Sequence, residues 1–98
     1  MKILNLDRGK GKTTELIKVS NEKWIYIVCA DRKRAENISR MAMEMSLNIP
    51  FPITVNELPI RSPYIKEVLL DDVEDVLTRL IRKPVLIATT SCGIVDEI

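Results

Sequence analysis

Histidine is absent from this chain of 98 residues. That absence removes histidine-based acid–base catalysis and most zinc sites. Aromatic residues are scarce: Trp24, Tyr26, Phe51 and Tyr64. The core must therefore be built mainly from Ile, Leu, Val and Met. Only two cysteines are present, Cys29 and Cys92, far apart in sequence, so no disulfide framework is expected. Cys29 lies within an apolar run and reads as a buried thiol. No apolar run approaches transmembrane length, and the N-terminus carries no signal-peptide pattern, so the expected location is the cytoplasm, without membrane contact. The net charge of +1 gives no general electrostatic argument for tight nucleic-acid binding.

What is present is ordinary for a globular protein, with 46% hydrophobic and 30% charged residues. The length implies one domain, residues 1–98, burying only roughly 60–65% of its unfolded surface. There are no internal repeats and no low-complexity segments.

The hydrophobic pattern alternates between strands and helices. Residues 2–6 read as a short first strand. A helix follows and runs to about Ser20. Trp24-Ile25-Tyr26-Ile27-Val28-Cys29 is nearly continuous in apolar and β-branched residues, the mark of a strand buried on both faces of a parallel sheet. Asp31 is placed to N-cap the next helix, over residues 32–46, where Ala35, Ile38, Met41, Ala42 and Met45 share one face. Pro50 and Pro52 end that region in extended backbone. Ile53-Thr54-Val55 is a short edge strand. Ile65 to Leu70 form a further strand, ending at Asp71-Asp72. Val73, Val76, Leu77, Leu80 and Ile81 keep the spacing of an amphipathic helix that stops near Lys83-Pro84. Val85-Leu86-Ile87-Ala88-Thr89 is expected to be a buried strand, Thr90 to Gly93 a turn, and Ile94 to Ile98 a tail. Alternating strands and helices give an α/β fold with a parallel sheet and right-handed crossovers.

Two stretches carry chemistry. Asp7-Arg8-Gly9-Lys10-Gly11-Lys12-Thr13-Thr14 lies between the first strand and the first helix. Gly9 and Gly11 let the backbone turn its N–H groups towards an anion. The helix N-terminus adds unpaired amides and the positive end of its dipole. Lys12 supplies a mobile ammonium, and Thr13 a hydroxyl able to ligate Mg²⁺. The full pattern GxxxxGK followed by Ser or Thr has Leu6 where its first glycine belongs. A lysine-rich surface turn that binds nothing is the bland alternative.

The second stretch is Val68-Leu69-Leu70-Asp71-Asp72, an apolar strand ending in two acids. One acid can hold Mg²⁺ opposite Thr13, and the next can polarise a water molecule. Asp71 is assigned to the metal and Asp72 to the water, with Glu74 as a substitute for Asp72. Either aspartate can instead N-cap the following helix. In parallel sheets ligands sit beyond the carboxyl ends of the strands. The glycine loop, Asp71-Asp72 and Thr89-Thr90-Ser91 all fall there.

Together these motifs resemble a P-loop NTPase: a minimal, single RecA-like domain similar to the first domain of superfamily 1 or 2 helicases, or to terminase-type ATPases. Gly9 to Thr14 resembles motif I, Ile25 to Ala42 motif Ia, Ile53 to Leu58 motif Ib, Val68 to Asp72 motif II, and Ala88 to Ser91 motif III. The resemblance implies a three-layer P-loop NTPase-like parallel sheet of about 4–5 strands flanked by helices. It implies binding of ATP with Mg²⁺ and weak hydrolysis. Nucleotide contacts would come from Arg8, Gly9, Lys10, Gly11, Lys12, Thr13, Thr14 and Thr90. Metal ligation would come from Thr13 and Asp71, and catalysis from Lys12 and Asp72. Asp is one methylene shorter than the Glu usual at the second acidic position. The resemblance covers a single RecA-like domain, so an arginine finger is expected to come from a neighbouring subunit, through Arg61 or Arg82 of a homo-oligomer.

Small P-loop proteins of this sort resemble phage products. This implies a role in phage DNA metabolism in the host cytoplasm, beside a phage or host DNA-processing protein. Two other readings stay open. One is a non-catalytic binding module on the same fold that recognises a protein or DNA partner. The other is DNA binding through Arg32, Lys33, Arg34 and Arg40.

Overall fold

The computed structural model describes residues 1–5 and 11–95, and the side chains of Ile94 and Val95 are not part of that description. It is an α/β arrangement with parallel strands and three helices. The first strand, β1, spans Lys2–Leu4, and helix α1 spans Lys12–Lys23. Strand β2 is Ile27–Cys29, and helix α2 is Arg32–Glu44. Strand β3, Ile53–Thr54, leads into a 3₁₀ turn at Val55–Glu57. Strand β4 is Leu69–Leu70, helix α3 is Val73–Ile81, and strand β5 is Gly93–Val95.

Strand β2 is the centre of a three-stranded parallel sheet in the order β3-β2-β4. All three of its residues are buried, as its apolar run requires. Val28 aligns with Ile53 on one side and Leu70 on the other. Ladder bonds from the Leu69 N–H to the Tyr26 carbonyl and from the Asp71 N–H to the Val28 carbonyl, both 2.9 Å, fix the end of β4 beside the end of β2.

Successive strand residues face opposite ways. Ile27 and Cys29 pack with Ile17 of α1 and with Ala35, Ile38 and Ala42 of α2 in the main core. Leu16, Met41, Met45 and Leu69 pack around it. Val28 points to the other face, where α3 lies and contributes the buried Val76. Helices thus cover both faces of the sheet. No described helix is long and apolar enough to cross a membrane.

Helix boundaries follow local chemistry. The Asp31 carboxylate accepts the Arg34 N–H at 2.9 Å and starts α2. The Asp72 carboxylate accepts the Asp75 N–H at 3.2 Å and starts α3. Helix α1 begins after Gly11, whose φ of +82° suits glycine and strains other residues. It continues to Lys23, beyond Ser20. Trp24 is therefore not a strand residue: it closes α1 in a left-handed conformation with its ring exposed.

The C-terminal part departs most from the sequence expectation. Val85 to Thr89 is not a buried strand. Leu86 is 93% exposed and Ile87 80%. Gly93–Val95, expected to be turn and tail, instead pairs in parallel with β1, with Ile3 opposite Ile94. An apolar run makes a strand only where an edge accepts it in register. Here β5 takes the edge of β1. Strand β4 is likewise shorter than 65–70, because only Leu69–Leu70 lies along β2.

Candidate functional site: a threonine, an arginine and a buried aspartate

Three residues far apart in sequence meet at the carboxyl end of the sheet. Thr13 lies in the first turn of α1, Arg34 in the first turn of α2, and Asp71 directly after β4. Arg34 and Asp71 meet because β2 and β4 pair in parallel and their connections leave the three-stranded sheet at the same end. Thr13 follows β1, which pairs with β5 in a separate two-stranded sheet, and the packing of α1 against α2 brings it to that edge. The Thr13 hydroxyl donates to Asp71 Oδ1 at 2.9 Å. Arg34 Nε donates to Asp71 Oδ2 at 2.7 Å, and Arg34 Nη2 donates to Thr13 Oγ1 at 2.8 Å. The result is a closed ring of three charge-assisted or hydroxyl bonds.

Asp71 is only 4% exposed, so its charge depends on these partners. No buried side-chain polar atom among the described residues lacks a hydrogen-bond partner. The hydrogen bond to Asp71 raises the Arg34 pKa above its ordinary value, against the opposing effect of burial. Asp31 supports the ring from behind. One of its oxygens caps α2 through the Arg34 N–H, and the other accepts Arg79 Nη2 from α3 at 2.9 Å.

Cys29 lies beneath this cluster. Burial pushes its thiol up to about 11, with Asp71 and Asp31 adding to the rise. Such a thiol is inert as a nucleophile at neutral pH.

The other sequence candidates occupy varied places. Gly11 and Lys12 are exposed at the start of α1, and Thr14 is half-buried beside Thr13. Arg8, Gly9 and Lys10 lie outside the described residues. Asp72 is exposed, and one oxygen of its carboxylate is engaged as the cap of α3. The two aspartates thus divide the work the sequence left open: Asp72 caps, while Asp71 meets Thr13. Glu74 is exposed in the first turn of α3. Thr90 is exposed, and its hydroxyl accepts the Cys92 N–H at 3.0 Å within its own turn. Arg61 and Arg82 are exposed, and Arg82 closes α3.

The sequence presents Arg34 as part of a basic helix face, and the structure makes it a member of the site. A signal was available. Arg32, Lys33 and Arg34 put three cations and no acid in the first turn of α2, against the positive end of the helix dipole. Cations placed there call for an anionic partner from elsewhere in the fold.

The donor set suits a hard cation. Among the described residues no group of three or more His, Cys, Asp or Glu side chains is gathered for a metal. A site supplied wholly by protein is therefore not offered. Mg²⁺ characteristically uses one or two protein oxygens and completes its shell with phosphate and water. Adjacent octahedral ligands at roughly 2.0–2.1 Å from the ion stand about 2.9 Å apart. Thr13 Oγ1 and Asp71 Oδ1 are 2.9 Å apart. The guanidinium of Arg34 is already a cation resting on the same two side chains.

A cleft of about 680 Å³ opens elsewhere, between the end of β2, the 3₁₀ turn and the C-terminal half of α3. Asp31, Arg79, Arg82 and Lys83 line it, but Thr13, Arg34 and Asp71 do not. No protein-family model, curated protein or solved structure matches this chain.

Proposed function

We propose that the chain binds a nucleoside triphosphate, ATP, together with Mg²⁺ at the start of α1, and hydrolyses it slowly. The observation that carries this reading is the hydrogen bond between Thr13 and Asp71, residues 58 positions apart. The two oxygens proposed as metal ligands lie side by side at the N-terminal turn of α1, whose unpaired amides would favour an anion. Lys12, exposed at the first position of α1, is free to follow the phosphates. Bound Mg²⁺ would neutralise charge on the β- and γ-phosphates. The chain's own part is to hold the triphosphate with the Gly11–Thr14 backbone and Lys12, and to hold ligand oxygens with Thr13 and Asp71. Asp72 would orient the attacking water, but its engagement as a helix cap supports slow turnover. Arg8, Gly9, Lys10 and Thr90 belong to the same proposal as further nucleotide contacts.

The reading extends to the fold and setting. The three-stranded parallel sheet has helices on both faces, and the separate β1–β5 pair is also parallel. A P-loop NTPase-like sheet of about 4–5 strands would join the two and is part of the proposal. A phage origin, action beside a DNA-processing protein in the host cytoplasm, and a homo-oligomer that supplies Arg61 or Arg82 in trans are parts of the proposal.

A second reading is favoured by one observation. Leu86 and Ile87 are almost wholly exposed, a feature of surfaces that meet a partner. In that reading the fold serves as a non-catalytic module for a protein or DNA partner. Thermal unfolding with and without Mg-ATP separates the two. Wild type should be stabilised by Mg-ATP, and Lys12→Ala should not be. Equal protection of both proteins, or none of either, overturns the nucleotide reading. A phosphate-release assay on the same samples then separates binding from turnover.

A further inference from the structure

We propose that Arg34 is a resident counter-cation that makes this site accept a divalent metal only together with a nucleotide; the inference rests on the nucleotide reading above. The guanidinium bridges both side chains that would ligate the metal, through Nε to Asp71 and Nη2 to Thr13. It satisfies both at once, so each is already held at the spacing an octahedral ion needs. A divalent ion on Asp71 Oδ1 and Thr13 Oγ1 competes with Arg34 Nη2 for the Thr13 oxygen and is repelled by the guanidinium on the other oxygen of the same carboxylate. Free metal must therefore displace Arg34 from its buried carboxylate, leaving only the exposed, cap-engaged Asp72 nearby.

A triphosphate changes that balance. It brings several negative charges to the start of α1, where the guanidinium can find new oxygen acceptors. The Arg34 side chain is 38% exposed, while Asp71 is 5% exposed at its side chain. The cation is thus the member of the pair with room to move, and the carboxylate is the fixed one. Arg34 also starts from an anchored backbone, since its N–H is held by the Asp31 cap. Its displacement needs side-chain rotation only. Of the carboxylates near Arg34, Asp31 is engaged with Arg79, and Asp72 is exposed and holds the Asp75 N–H at the start of α3, so neither is the buried, two-oxygen partner that Asp71 is.

The test uses Mn²⁺ as the metal probe, with free Mn²⁺ read by electron paramagnetic resonance. Wild type, Arg34→Gln and Arg34→Lys are each titrated with and without ATP. Wild type without ATP should leave Mn²⁺ free, and with ATP should take up more Mn²⁺ than ATP alone binds in a protein-free control; no excess over that control overturns the inference. Arg34→Gln keeps a donor for Asp71 but no charge, and should bind Mn²⁺ without ATP at least about tenfold more tightly than wild type. Arg34→Lys keeps the charge without the two-pronged geometry. It should fall between the two, and it carries the test if Arg34→Gln fails to fold. Identical Mn²⁺ affinity in wild type and the variants, with ATP binding intact, overturns the role of Arg34 alone. Absence of ATP binding in all three proteins overturns the nucleotide reading and this inference with it.

Discussion

Replacing Asp71 separates the geometry of the three-residue ring from its charge. In Asp71→Asn the side chain keeps its volume, and both of its neighbours can still be satisfied. The amide oxygen can accept from Arg34 Nε, which sits 2.7 Å from Oδ2. The amide nitrogen can then donate to Thr13 Oγ1, at present 2.9 Å from Oδ1. Thr13 Oγ1 has two lone pairs, so it can accept from Asn and from Arg34 Nη2 together. The charge-assisted part of the bonding is lost, and the Thr13 O–H, which now donates to Asp71, turns to solvent at a half-buried position. That part is about 1–1.5 kcal/mol per bond; the Arg34 bond keeps its charged donor, so chiefly the Thr13 bond loses it and the expected cost is about 1–2 kcal/mol.

Asp71→Ala removes both acceptors and leaves the guanidinium without its partner. Breaking a buried pair costs about 3–5 kcal/mol. Arg34 is partly exposed and can rehydrate, which lowers the expectation to about 2–3 kcal/mol. Urea unfolding at constant m-value measures both variants. For a domain of this size each kcal/mol is worth about 4–8 °C in Tm. If Asn costs as much as Ala, the reorientation argument is wrong. If Ala costs less than about 0.5 kcal/mol, the ring contributes nothing to stability.

Other substitutions check the packing and the chemistry around the site. Ile38→Ala truncates a fully buried core residue and should cost about 2–5 kcal/mol by urea unfolding, enough to threaten a domain of this size. Leu86→Lys should change stability by less than about 0.5 kcal/mol, because Leu86 stands in solvent. Unfolding of that variant would show that Val85 to Thr89 is a buried strand after all. Ser20→Ala should cost about 1 kcal/mol in the same assay, since the buried Ser20 hydroxyl donates to the Ile25 carbonyl at 2.6 Å. Cys29 makes stability fall at alkaline pH. Its pKa is raised in the folded state from 9.0 to about 11, so the unfolded chain releases the proton first. Stability contributed by the neutral thiol is full below pH 9 and is lost as pH rises towards 11, by on the order of 2 kcal/mol. Cys29→Ala should flatten that part of the pH–stability profile, and an unchanged decline would assign it to other groups.

The sequence by itself determined what local chemistry can determine. Helices α2 and α3 were legible because their apolar spacing agrees with the caps on where each begins, Asp31 for α2 and one of Asp71 and Asp72 for α3. Strand β2 was legible as a run buried on both faces, although Trp24 was wrongly included, because an aromatic next to β-branched residues looks the same in a strand or at a helix end. Thr13 and Asp71 were singled out as a pair because each stands where a strand end meets a helix start.

Only the tertiary structure decided which elements meet. Strand pairing is a contact between distant segments, so composition could not choose between Val85 to Thr89 and Gly93–Val95 as the partner of β1. The choice between Asp71 and Asp72 as helix cap turned on a backbone conformation, φ of +63° at Asp72, that two adjacent identical residues do not distinguish in sequence. Arg34 belongs to the site only because parallel pairing of β2 with β4 sets the start of α2 beside the end of β4. The physical reason is the same in each case. Hydrophobic period and capping act within a few residues, whereas register and charge pairing act across the fold.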